Sequence, residues 1–122
     1  MRRLFHVLLL CCGLAATAHA ESVKLLVQSS PLAGFKYHEA KKVWTELKVG
    51  DSLRLVREPD NPYDANAVRV EWRGMKLGYV PRRENGALAW AMDHGQDVSA
   101  RISVLREHRN TRKRMEFEVY VE

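Results

Sequence analysis

The sequence predicts a mainly β domain. Five or six short strands and one or two short helices would close into a small, partly open barrel of the OB or SH3 kind. Two runs, Val98–Val104 and Met115–Val121, alternate apolar and polar residues. That period of two belongs to a strand with one buried face. Turn formers punctuate the chain at short intervals, at Gly50-Asp51, at Arg73-Gly74 and through the proline-containing stretch 57–67. Helical spacing occurs only in two short segments.

The N-terminus bears on compartment before fold. Arg2 and Arg3 precede an apolar run from Leu4 to Ala16, which ends in the small-x-small site Ala18-His19-Ala20. This is the layout of a secretory signal peptide, and the run is short for a membrane span. The expected organisation is a signal peptide at 1–20 and one domain at 21–122. The product would be periplasmic or secreted, with no stable membrane insertion after cleavage. Lipidation at Cys11 or Cys12 ranks lower, because Leu8-Leu9-Leu10 lacks the small residue that such a site needs. An uncleaved anchor is the remaining option. Cleavage removes both cysteines, so the 102 residues left cannot form an internal disulfide and must be held by their core. The formal charge falls from +5 to +3, since two arginines and no acid leave. A balance this mild does not by itself demand a polyanionic partner.

Along the domain, Lys24–Gln28 reads as a short apolar strand, and Ser29–Gly34 as a turn containing Pro31 and Gly34. Phe35-Lys36-Tyr37-His38 is an aromatic and basic cluster. Glu39–Leu47 places Val43, Trp44 and Leu47 on one helical face and reads as a short helix or an irregular turn. Ser52–Arg57 is a strand. Val68, Val70 and Trp72 alternate with Arg69 and Glu71, Arg73-Gly74 makes a tight turn, and Met75–Val80 returns as the hairpin partner. Pro81 ends that strand. Arg83–Asp93 carries Ala87, Leu88, Ala91 and Met92 at helical spacing, with Gly95 placed to stop the helix. The last two strands are joined by the basic connection Glu107–Arg114. Trp44, Trp72 and Trp90 sit on apolar faces and are assigned to the core.

The stretch from Arg57 to Ala67 is the most informative. Pro59 and Pro62 forbid helix and central strand there. Asn61, Asp64 and Asn66 are turn formers whose side chains bond nearby backbone amides. The result is a stiff loop that presents one aromatic, Tyr63, and one carboxylate, Asp64. Turn chemistry accounts for every residue in it except Tyr63, so residue types alone favour a structural turn over a recognition site.

The longer pattern Arg57-Glu58-Pro59-x-Asn61-Pro62-Tyr63-Asp64-x-Asn66-Ala67-Val68-x-Val70 resembles the signature of the HIRAN domain. Gly78-Tyr79-Val80-Pro81-Arg82 with the following Gly86-Ala87-Leu88 matches that family's next block, and Gly34-Phe35-Lys36-Tyr37 its first loop. The resemblance extends over about residues 24–122. It implies an OB-like β-barrel, found at the N-termini of DNA translocases and in stand-alone bacterial proteins. It also implies capture of the 3′ end of single-stranded DNA. By motif position Tyr37 and Tyr63 would stack on terminal bases. Asp64 would accept a hydrogen bond from the 3′-hydroxyl, and Asn61 would shape the pocket. Lys36, Tyr79 and Arg82 would lie along the phosphate path. His38 departs from the family, standing where translocase members carry a second aromatic.

Other function classes are weaker. The mature histidines are His38, His94 and His108, with no HxxxH spacing, no cysteine and no acidic cluster of metal-ligand type, so neither a metal nor a cofactor is expected. No nucleophile elbow is present. The hydrolase activity associated with the family belongs to other domains, and the expectation is a non-catalytic binding module. Arg83, Arg109, Arg112, Lys113 and Arg114 would add phosphate contacts. Taken alone, the loop that carries most of them reads as a solvated hairpin tip. The alternative class is an exported cell-envelope module that binds a protein partner, with its pocket retuned to another ligand. It accounts for the signal segment more simply than DNA does.

Overall fold

The computed structural model describes residues 23–122, so the expected signal segment lies outside the described residues. Six strands form one sheet: β1 (Leu25–Pro31), β2 (Ser52–Arg57), β3 (Val68–Trp72), β4 (Met75–Tyr79), β5 (Val98–Leu105) and β6 (Met115–Val121). Among the described residues, two short α-helices, α1 (Ala40–Val43) and α2 (Gly86–Asp93), accompany them. The strand order is β1-β6-β5-β2-β3-β4, and every neighbouring pair is antiparallel. The sheet curls until its two ends touch. Ala33, just past β1, and Tyr79, at the end of β4, exchange two backbone hydrogen bonds of 2.9 Å each. This is the partly open, OB-like barrel expected from the sequence.

The closure dictates one residue type. A Cβ on Gly78 would lie 2.2 Å from the carbonyl oxygen of Ala33, so only glycine lets the two ends approach. The β3–β4 hairpin dictates another. Arg73 and Gly74 have φ of 48° and 81°, the paired positive values of a type I′ turn, whose twist matches that of the flanking strands.

The barrel is filled by Phe35, Trp72, Leu77, Ile102, Met115 and Phe117, all buried. In β3 and β6 the buried residues alternate with partly exposed ones, as their sequence period requires. Trp72 keeps its indole N–H satisfied by donating to Asp51 Oδ2 at 2.9 Å, which ties the Gly50-Asp51 turn to β3.

Several expectations need correction. β1 does not end at Gln28. Ser29, Ser30 and Pro31 continue it by pairing with Glu118, Phe117 and Glu116, while Leu25, Leu26 and Val27 are exposed. Partner strands, not local composition, set that boundary. Residues 39–47, read as a short helix or an irregular turn, combine the two as the single turn α1 followed by a 3₁₀ turn at Trp44–Glu46. The second helix starts at Gly86, because Arg82–Glu84 form a separate 3₁₀ turn. Trp90 is 60% exposed and stacks on His94 with ring centroids 3.9 Å apart. α2 buries Leu88 and Ala89 against the barrel, and Trp90 points the other way. Trp44 is half-buried, packing edge-on against Phe35 and donating to Glu107 Oε1. Among the described residues, no helix is long and apolar enough to cross a membrane.

Candidate functional site

The loop between β2 and β3 is a chain of three tight turns. Asn61 N donates to Glu58 O, Asp64 N to Asn61 O, and Ala67 N to Asp64 O, at 3.0, 3.4 and 3.0 Å. The first residue of each turn is therefore Glu58, Asn61 or Asp64, and each also bonds through its side chain. Asn61 Oδ1 accepts from Tyr63 N at 2.9 Å and Asp64 N at 3.2 Å. Asn61 Nδ2 donates to Glu58 Oε1 at 3.0 Å. Asp64 Oδ1 accepts from Asn66 N at 2.9 Å. Those from backbone amides are Asx-type bonds that stiffen a turn without help from a sheet.

Arg57 clamps the loop from below. Its guanidinium donates to the carbonyls of Ala67 (2.8 Å) and Ala65 (3.0 Å) and forks onto the Asp93 carboxylate at the end of α2 (2.9 and 3.1 Å). Glu58 is the hub on the other side. Tyr79 OH donates to its Oε1 and Arg69 Nη1 to its Oε2, each at 2.8 Å. Burial alone would raise the pKa of Glu58. The bonds from Asn61, Tyr79 and Arg69, with the Lys76 charge, outweigh burial and hold it below the ordinary glutamate range. His38 is pushed down, first by burial and then by Lys76, against the opposing pull of Glu58 and Glu39.

Between this loop and β4 lies a cleft of about 650 Å³. Its walls include Tyr37, Asn61, Tyr63, Asp64, Tyr79 and Arg82, and thus six of the seven residues singled out as ligand-binding. Tyr37 and Tyr63 are 74% and 83% exposed. No packing role explains two such open aromatic rings beside one concavity. Arg82 lies against the loop, donating to the Tyr63 carbonyl, with its Nε 3.9 Å from Asp64 Oδ2. The seventh residue, Lys36, is outside the cleft, with its ammonium 5.3 Å from the Tyr37 ring centroid.

The basic residues of the β5–β6 connection and its flanks do not act as one patch. Arg83 and Arg112 line shallow grooves beside the cleft, whereas Arg109 and Lys113 line neither the cleft nor those grooves. Arg114 is structural. Its Nε donates to His108 O at 2.6 Å and its guanidinium covers the Phe35 ring.

Three site residues carry no sequence signal for their roles. Glu58 lines the cleft and is bonded there by Arg69 and Tyr79, and Lys76 lines it with its ammonium 4.5 Å from the Tyr79 ring centroid. Asn85 stands at the N-cap of α2, where an asparagine usually bonds its own helix. Here its buried side chain instead donates to Asp64 Oδ2 at 2.8 Å, from 21 residues away. The only signal available was its helix-start position, and that points to the wrong job. Among the described residues, no group of three or more His, Cys, Asp or Glu is placed to hold a metal ion.

The HIRAN domain family matches residues 25–122, which is most of the chain and all of the barrel. The chain belongs to the HIRAN domain family. A Fanconi-associated nuclease 1 homolog of Oryza sativa subsp. japonica is 32% identical over 77 residues, covering 60% of this chain and 8% of that protein. The helicase-like transcription factor of Oryctolagus cuniculus is 42% identical over 45 residues, 36% of this chain and 4% of that protein. The chain therefore spans less than a tenth of either relative. A crystal structure of a Lactobacillus plantarum protein superposes with a TM-score of 0.71 at 29% identity, covering 81% of this chain and 95% of the other. The HIRAN domain of human HLTF superposes with a TM-score of 0.61 at 23% identity, covering 80% and 78%, a likeness of fold.

Proposed function

We propose that this HIRAN domain is a non-catalytic nucleic-acid-binding module that captures the 3′ end of single-stranded DNA. The observation that carries the reading is the pairing of two open aromatic rings, Tyr37 and Tyr63, with a fixed carboxylate, Asp64, in one cleft. Exposed rings bind bases of any sequence, at ~1–3 kcal/mol per base. Each Asp64 oxygen has one donor from the protein and retains acceptor capacity for another. A terminal hydroxyl supplies that donor, and a terminal phosphate does not. Asn61 fixes the loop that carries both Tyr63 and Asp64. Tyr79 gives its ring to the wall while its hydroxyl serves Glu58, and Arg82 and Lys36 flank the path that the adjacent phosphates would take.

The experiment is a titration of the protein with single strands that end in 3′-OH, that end in 3′-phosphate, or that are closed into circles. A clear preference for 3′-OH is the expected result. Equal binding of all three would overturn end capture.

The leader-like segment 1–20 supports a second reading, in which the protein is exported and the cleft serves a protein partner of the cell envelope. On that reading the domain works in the periplasm or outside the cell. Cell fractionation tests the location, and absence of single-strand binding by an exported protein would favour the envelope partner over DNA.

A further inference from the structure

Three concavities meet around Ala33 and Gly34. Ala33 and Arg82 line both the cleft and a second groove of about 270 Å³. Tyr37 lines both the cleft and a third groove of about 380 Å³. Gly34 and Arg112 line both grooves. The three spaces thus form one connected surface that leads away from the cleft past Tyr37 and Arg82.

Their chemistry differs. The cleft carries both signs, with the carboxylates of Glu58 and Asp64 beside the cations of Lys76 and Arg82. The two grooves have no Asp or Glu among their lining residues and carry Lys36, Arg82, Arg83 and Arg112. Lys36, Arg83 and Arg112 form no salt bridge with any described residue, so their charges are free for an outside anion. Arg112 is not on a loose tip. Its backbone N–H donates to Asn110 Oδ1 at 3.0 Å, and Arg114 docks the same turn onto Phe35. Arg106, by contrast, is committed to Glu116 at 3.2 Å.

Building on the reading above, we propose that a strand held by its 3′ end leaves the cleft over Ala33 and Gly34 and lays its phosphodiester backbone on Lys36, Arg112 and Arg83. Asp64 in the cleft takes the hydroxyl end, the cationic grooves take the phosphates that precede it, and the two together give the bound strand one direction. The β5–β6 connection then contributes through Arg112 alone, and its other cations do not touch the strand.

The test is binding of 3′-OH oligothymidylates of two lengths across a salt series. The short strand has about 3 nucleotides, below the ~4–16 that an OB fold spans, and the long one about 10. The protein is compared with Arg112→Gln and, as a control, Arg109→Gln. On the long strand Arg112→Gln should weaken binding and lower the slope of log K against log salt by ~0.7, the share of one single-strand phosphate. On the short strand it should match the unaltered protein, and Arg109→Gln should match it on both. If Arg112→Gln matches on the long strand while 3′-OH preference persists, the track is wrong and end capture stands. Equal losses for Arg109→Gln, or equal losses on both lengths, also overturn the track. If the unaltered protein binds neither strand, the track and end capture both fall.

Discussion

Asp64 commits one carboxylate oxygen to Asn66 N and the other to Asn85 Nδ2, and this pair of bonds fixes the direction in which its free lone pairs point. Asp64→Asn is expected to keep the fold and to narrow the gap between 3′-OH and 3′-phosphate ends, partly because repulsion of the phosphate is removed. Asn85→Ala is expected to act in the same direction from outside the cleft, at a stability cost of about 1–2 kcal/mol for the lost charge-assisted bond. α2 should persist, since the Asn85 side chain does not cap it. Competition between the two ends, read beside thermal melts, checks both variants. Tyr63→Ala should weaken both ends together by ~1–3 kcal/mol and leave the melting temperature unchanged, because the ring packs against little. The turns at Asn61 and Asp64 were legible because their neighbours in the chain define them, whereas Tyr63 stood out as the residue that turn chemistry does not explain. Asn85 and Glu58 were not legible, because their meaning lies in partners across the fold.

At the scale of elements, the 57–67 loop is braced from both ends by groups that sequence period does not reveal. Glu58 illustrates the pH dependence. Its folded pKa lies below the unfolded value, so its contribution is present above the ordinary glutamate range. That contribution is lost as pH falls through the folded value. Acid titration should therefore loosen the loop, and Glu58→Gln should remove that component of the acid response while lowering stability at neutral pH. Arg57→Ala should release the loop from Asp93 and raise amide exchange at Ala67 selectively, a change that hydrogen exchange resolves. The strands with clean alternation, β3, β5 and β6, were legible because one of their faces is buried. The C-terminal half of β1 was not, since Ser29-Ser30-Pro31 reads as a turn until β6 is present to pair with it. Trp90 misled for the opposite reason, since an apolar residue on a short helix does not reveal which face the barrel covers.

For the whole molecule, closure between Ala33 and Tyr79 places both residues on the cleft wall, so barrel and site are coupled. Gly78→Ala should strain that contact, lowering stability by about 1–3 kcal/mol and weakening binding although Gly78 itself lines no part of the cleft. Thermal melts with strand titrations check the pair of effects. The barrel class followed from many short strands with few helices. Its closure did not, because no local pattern says which edges will meet. The domain should fold without metal or disulfide, and unchanged melts in chelator and in reductant are the expected outcome.

The position of β6 has a consequence for how the chain is made. This strand stands between β1 and β5, so the first strand of the barrel has no neighbour until the last one exists. The sheet therefore cannot be assembled progressively as residues emerge during synthesis. β1 must wait, edge bare, with Leu25, Leu26 and Val27 open to wrong partners. Loop closure on this scale makes folding slow compared with a helical domain of similar length. A chain stopped before Met115 would strand two edges at once, and it should accumulate as aggregate instead of as a smaller folded barrel.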